Sequence, residues 1–246
     1  MPVQNGGTEF FMYGNYYMMD YSSMAEYFVY IIIPLIISIW ASMKVKITFS
    51  KYSQIANRKG YTAAQVAERI LQSAGVYNVR IERVPGDLTD HFDPRDNVLR
   101  LSDSVYSSNS VAALGVAAHE AGHAIQHAQG YMPIRIRSAI VPVVNISSRL
   151  AVPMFILGLV LGMTGLAWLG VILFAGVVLF SIVTLPVEFN ASSKALKNLI
   201  AYDILSPEEN DMARKVLGAA AMTYVASALA SLGQLLYWIS RFKDRD

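Results

Sequence analysis

Hydrophobic and polar positions fall along this chain in blocks of different period, and each block predicts a different element. Tyr27 to Met43 carries no charge, holds Pro34 and ends near Trp40, so it reads as a first transmembrane helix of about the length a bilayer requires. Residues 44 to 137 have soluble character. Within them Thr62 to Gln65 forms a capping box, Val66, Ala67, Ile70, Leu71 and Ala74 recur at helical spacing, and Gly75 closes the helix. Val79 to Val84 alternates like a strand that Pro85-Gly86 breaks, and Asn97 to Leu101 reads as a second strand after a polar turn from Asp90 to Asn97. That strand offers an edge for an extended peptide or belongs to the core. A further apolar helix begins after a cap at Asn109 or Ser110 and stops at Gly130.

The second half is more apolar. Leu150 to Val187 holds no charge over 38 residues and is interrupted by Met163-Thr-Gly165, which reads as a transmembrane hairpin over residues 138–187. Its first helix must reach back past Arg149, which then snorkels or faces the protein interior. A new helix is expected to start near Glu188, in a helical segment over residues 188–215. Val216 to Ile239 reads as a fourth span within 216–240, or as a helix packed against the domain or lying at the interface; Tyr224, Tyr237 and Trp238 sit like interface anchors, and Ala226 and Ala230 give a small packing face. Three or four spans therefore accompany a small sheet, in a mainly α membrane protein.

Composition agrees, since 54% of residues are hydrophobic and 15% charged, against about 25% charged in soluble domains. Residues 1–26 contain no Lys or Arg, whereas Lys44, Lys46, Lys51, Arg58 and Lys59 follow the first span with no acid between them. The positive-inside rule then makes 1–26 an extracytoplasmic tail without the basic start of a signal peptide, and it puts 44–137 in the cytoplasm. A net charge of +2 with no long basic run gives no footprint for nucleic acid. There is no cysteine, so any metal must be held by nitrogen and oxygen.

The candidate chemistry sits at His119-Glu-Ala-Gly-His123. Two histidines at i and i+4 leave one face of a helix a turn apart and can share one Zn²⁺; Glu120 would take a proton from a water that the metal acidifies. With four histidines and eight glutamates in the chain, such a string arises by chance about once in five hundred similar sequences. Catalytic zinc takes three protein ligands and keeps one open position. His127 lies about 12 Å along the axis from His119 and is too far to share the metal. The metzincin continuation is absent, because Gln126 and Gln129 stand where Gly and His are required. Glu188, in Leu-Pro-Val-Glu-Phe-Asn-Ala-Ser, is the preferred third ligand because the hairpin returns it to the motif's side; Asp203, Glu208 and Glu209 share that side in a solvated stretch. Gly122 is tolerated either for close approach of substrate or for helix packing. His91, among several aspartates, reads as a surface residue, with an oxyanion donor or a hydrogen-bond partner of a ligand as the alternative, and His127 as a helix-surface residue or such a partner with no chemical step.

This order of HEAGH helix, hairpin and glutamate resembles the membrane-integrated HExxH peptidases of the HtpX and CAAX prenyl protease groups. It is similar more closely to the YugP-type membrane zinc metallopeptidases, through Leu-Thr-Asp-His-Phe-Asp-Pro at 88–94, Val-Ala-Ala-His-Glu-Ala-Gly-His-Ala-Ile-Gln at 116–126 and Pro-Val-Glu-Phe-Asn-Ala-Ser at 186–192. The resemblance implies a zincin-like fold, zinc on His119, His123 and Glu188, and Glu120 as catalytic base. One departure stands out: the HtpX pattern has Asp four residues after the glutamate, and here stands Ser192. The expected activity is hydrolysis of membrane or membrane-proximal polypeptides at the cytoplasmic face of the cell membrane. Zinc hydrolysis of a non-peptide membrane substrate and a non-catalytic scaffold with a vestigial site are the alternatives.

Overall fold

The computed structural model describes residues 24–243. The tail expected over 1–26 lies outside the described residues apart from 24–26, which open the first helix. Helix α1 (Met24–Tyr52) passes through Met43, since Lys44, Lys46 and Lys51 suit a helix and its C-terminal turn. Tyr52 anchors its end in a buried cluster with Ala112 and Val216. Pro34 cannot donate to the carbonyl of Tyr30, and the turn ahead of it widens to a π-helix over Phe28–Ile32.

Helix α2 (Ala63–Ser73) has the expected capping box, with Thr62 accepting from the Gln65 backbone N–H and the Gln65 side chain accepting from that of Thr62. Strands β1 (Arg80–Val84), β2 (His91–Asp93) and β3 (Val98–Ser102) form a sheet of order β1-β3-β2. β1 runs parallel to β3 and β2 antiparallel to it, with His91 opposite Arg100. Two expectations change here. The second strand is central, so it offers no free edge, and part of the supposed polar turn is the edge strand β2. Three residues are too few for a visible alternation; β2 is held by its partners instead, because Asp93 pairs with Arg100 and Asp90 accepts bonds from the Ser102 backbone N–H and hydroxyl.

Helix α3 (Val111–Ala128) carries HEAGH, capped by the Ser110 hydroxyl and ended before Gly130, whose φ is +62°. Helices α4 (Met132–Val160) and α5 (Thr164–Ala201) form the hairpin, and α6 (Pro207–Lys243) follows. No new helix begins at Glu188: α5 continues through Pro186, because Val187, Ala191, Ala195 and Leu199 bury a stripe that outweighs the lost hydrogen bond. α1, α4, α5 and α6 are each long and apolar enough to cross a membrane. α6 lies antiparallel to α1, with Tyr27 against Tyr237 at one end and the Arg58 backbone N–H donating to Glu209 at the other. Gly233 permits this approach, since a Cβ there would strike the Tyr30 carbonyl. Trp238 is buried rather than an interface anchor, stacked on Phe155 at 4.2 Å between ring centroids. Arg149 is exposed and does not face the protein interior.

One core joins the halves of the chain. Val66 and Ile70 of α2, Leu99 and Leu101 of β3 and Leu114 of α3 are packed in the same cluster as Ala195, Leu199, Ala213 and Leu217.

Candidate metal site

The spacing of α3 does what a 3.6-residue period requires, turning His119 and His123 to one side so that their rings meet edge to face at 4.7 Å. α5 brings Glu188 against them. Its Oε2 lies 3.2 Å from His119 Nε2 and 3.4 Å from His123 Nε2, and the two Nε2 atoms are 3.1 Å apart. Three such donors around one ion with bonds of about 2.0–2.1 Å would define tetrahedral edges of about 3.3–3.4 Å, so the set fits a zinc ion closely. Glu188 is 2% exposed and His123 8%, which leaves the polar cluster with little water of its own.

Hydrogen bonds on the far side of each imidazole determine which nitrogen faces the centre. Gln126 is fully buried and its Nε2 donates to the Val187 carbonyl at 2.8 Å and to Asn190 Oδ1 at 2.9 Å, which fixes the amide orientation. Its Oε1 therefore faces His123 Nδ1 at 3.0 Å and requires a proton there, so neutral His123 presents a bare Nε2 lone pair inwards. Ser192 Oγ stands 3.1 Å from His119 Nδ1. The residue that departs from the HtpX pattern thus reaches the outer nitrogen of one candidate ligand. Arg137 Nη1 lies 3.5 Å from Glu188 Oε1, leaving Oε2 to the imidazoles. Gln126, Ser192, Asn190 and Arg137 received no role from the motif, although the first two sit three and four residues from candidate ligands, the spacing of one helical face.

Gly122 resolves in favour of helix packing. A Cβ built on it would lie 2.8 Å from the Ala191 carbonyl oxygen, so the motif helix touches α5 backbone to backbone one turn from Glu188.

A cleft of about 270 Å³ opens on this cluster, lined by Glu120, His123, Glu188, Arg137 and Tyr224 and, on the sheet side, by residues 90–92. Burial alone would favour the neutral His123 ring, but the hydrogen-bonded Glu188 carboxylate and the charge of Glu120 outweigh it and raise its pKa above the ordinary value. Burial also pushes the Asp90 carboxyl up; the Ser102 hydrogen bonds oppose it and the negative charge of Glu120 adds to it. His91 lies on the rim with Nδ1 2.9 Å from the Thr89 carbonyl. His127 is placed elsewhere, tilted on Phe92 at 5.8 Å. Asp203 pairs with Lys59, Glu208 bonds Ser206, and Glu209 caps the start of α6, so none of the three joins the cluster.

Comparison with known proteins points the same way. A family profile described as "Putative neutral zinc metallopeptidase" matches residues 27–243. The "Putative membrane protease YugP" of Bacillus subtilis (strain 168) is 47% identical over 206 residues, covering 84% of this chain and 92% of the relative. No solved structure matches the chain.

Proposed function

The chain belongs to the neutral zinc metallopeptidase family, and on that premise we propose that it is a membrane zinc endopeptidase with His119, His123 and Glu188 as metal ligands and Glu120 as general base. The observation that carries this reading is the trio of donor separations, 3.1, 3.2 and 3.4 Å, together with the cleft on their open side. Zinc held there supplies a Lewis acid and a water of lowered pKa.

The residues of the chain do the rest. Glu120, 9% exposed and lining the cleft, takes a proton from the attacking water as its oxygen bonds to the scissile carbonyl carbon. The same carboxyl returns that proton to the amine as the C–N bond breaks. Gln126 and Ser192 hold the imidazoles in the ligating tautomer, and Arg137 steadies Glu188. β2 is the edge strand of the sheet beside the cleft, where an extended polypeptide adds as a further strand. The basic flank of α1 supports a cytoplasmic active face, with 44–137 and 188–215 on that side.

Glu120→Gln tests the mechanism. The purified variant is expected to keep its zinc, by metal analysis, and to lose about 10²–10⁴-fold in cleavage of a casein-like chain; retained cleavage with retained zinc refutes the assignment.

A further inference from the structure

The membrane-spanning half has an opening of its own beyond the cleft at the metal site. A second cavity, of about 570 Å³, lies near the hairpin tip and is walled by Val152 and Ile156 of α4, Phe174 of α5, and Ser227, Ser231 and Gln234 of α6. On α4 the lining residues repeat after 18 positions: Ile134, Arg137 and Ser138 at the metal site become Val152, Phe155 and Ile156 at the far cavity. Eighteen residues are five full turns, so both cavities lie on one face of α4, about 27 Å apart. On α6, Tyr224, Ser227, Ser231, Gln234 and Trp238 form a matching stripe. α4 and α6 both pack along α5, which makes it the floor of a groove between them, and α1 packs near Gly233 on the opposite face of α6. Val152, Ile156 and Tyr224 along the groove are exposed.

Its length and chemistry indicate the occupant. With its metal-site end just outside a hydrocarbon layer of about 30 Å, a groove of about 27 Å would hold an object running through most of the bilayer. The walls are not uniformly apolar. Gln234 and Arg149 have no hydrogen bond or ion pair among the described residues, and Arg149 lies eleven residues after Ser138, on the α4 stripe between the cavities. Polar side chains at that depth are costly in lipid alone and are satisfied by another helix. Small residues at 227, 230 and 231 let a helix backbone approach closely. Glu188 follows Thr164 by 24 residues, about 36 Å along α5, which puts the metal site roughly 6 Å beyond the hydrocarbon on the motif side.

We propose that this groove seats the transmembrane helix of a single-pass substrate and thereby presents the residues just outside the membrane to the metal site. The proposal rests on the proteolytic reading and adds its substrate class: an anchored polypeptide with a polar side chain near mid-membrane, cut about two extended residues beyond its helix.

Proteoliposomes holding the full chain would be given two reporters, a casein-derived segment attached to a single-pass helix with one mid-depth Glu, and the same segment without the helix. Ser231→Phe, which fills the groove, is expected to lower cleavage of the anchored reporter by about tenfold or more and to leave the free segment unchanged. In Glu120→Gln, a photo-crosslinking residue at 231 should capture the anchored reporter, whereas one at Val143, exposed on another face of α4, should not. Equal effects of Ser231→Phe on both reporters, or capture at 231 of lipid alone or of a second copy of this chain, would overturn the groove proposal. If the unmodified protein cuts neither reporter, the proteolytic reading fails, and the crosslink still decides what occupies the groove.

Discussion

Gly122→Ala tests whether one backbone contact positions the candidate metal ligands. The added Cβ would stand 2.8 Å from the Ala191 carbonyl oxygen, where ordinary contact begins at 3.4 Å, so α3 and α5 must part by roughly 0.6 Å. Both are interior stretches of long helices, and neither can relieve the clash by turning a flexible side chain. Overpacking of this kind costs about 1–3 kcal/mol, partly offset by about 1 kcal/mol of improved helix propensity, so the fold should survive. The ligands should not be spared, because metal–ligand distances tolerate only about 0.2 Å and the parting separates the two histidines from Glu188. Zinc affinity is expected to fall on the order of tenfold to hundredfold, read by titration against a chelator, with far-UV circular dichroism unchanged. Gly115→Ala is the control, since its Cβ would meet Ala213 Cβ at an ordinary 3.4 Å. Wild-type zinc affinity in Gly122→Ala, with helicity intact, would refute the argument that this contact positions the ligands.

Gln126→Leu keeps the size of the side chain but removes the acceptor at His123 Nδ1; zinc affinity should fall about 10–100-fold in the same titration. Ser192→Ala should weaken zinc less, because a water in the half-open site can replace the hydroxyl, and isothermal titration would rank the two. For Asp90 the sign follows from its raised folded-state pKa: burial disfavours the carboxylate, so the penalty is absent below about pH 3.9 and sets in as pH rises through the folded value. Asp90→Asn, whose amide oxygen still accepts from the Ser102 backbone N–H, should therefore raise the melting temperature by roughly 2–4 °C at pH 7 and give no gain near pH 3; a gain that persists at low pH would contradict this.

Much of the site was legible because it obeys helix arithmetic. Ser110, Gly130 and the i, i+4 histidines placed the motif helix, and the hairpin's return singled out Glu188, which the structure brings within 3.4 Å of both imidazoles. Where reading failed, tertiary contacts overrode local signals. Pro186 and the polar run after it suggest a helix start, yet the buried stripe from Val187 to Leu199 carries α5 straight through. β2 is too short to show a period and exists because Asp90 and Asp93 bond across to β3. The role of Gln126 depends on Val187 and Asn190, more than sixty positions away, and no local pattern encodes that.

The continuity of α5 bears on how the protein is made. His119 and His123 emerge from the ribosome 65 or more positions before Glu188, on a helix whose apolar residues share a core with residues from Ala195 to Leu217. During synthesis the two imidazoles therefore exist for a time without their partner, and the partner arrives only after the hairpin has been inserted and returned. On the proposed reading, the nascent chain cannot cut its neighbours before it is seated in a bilayer. Residues 44–137, produced alone, would be an inert fragment with half a core.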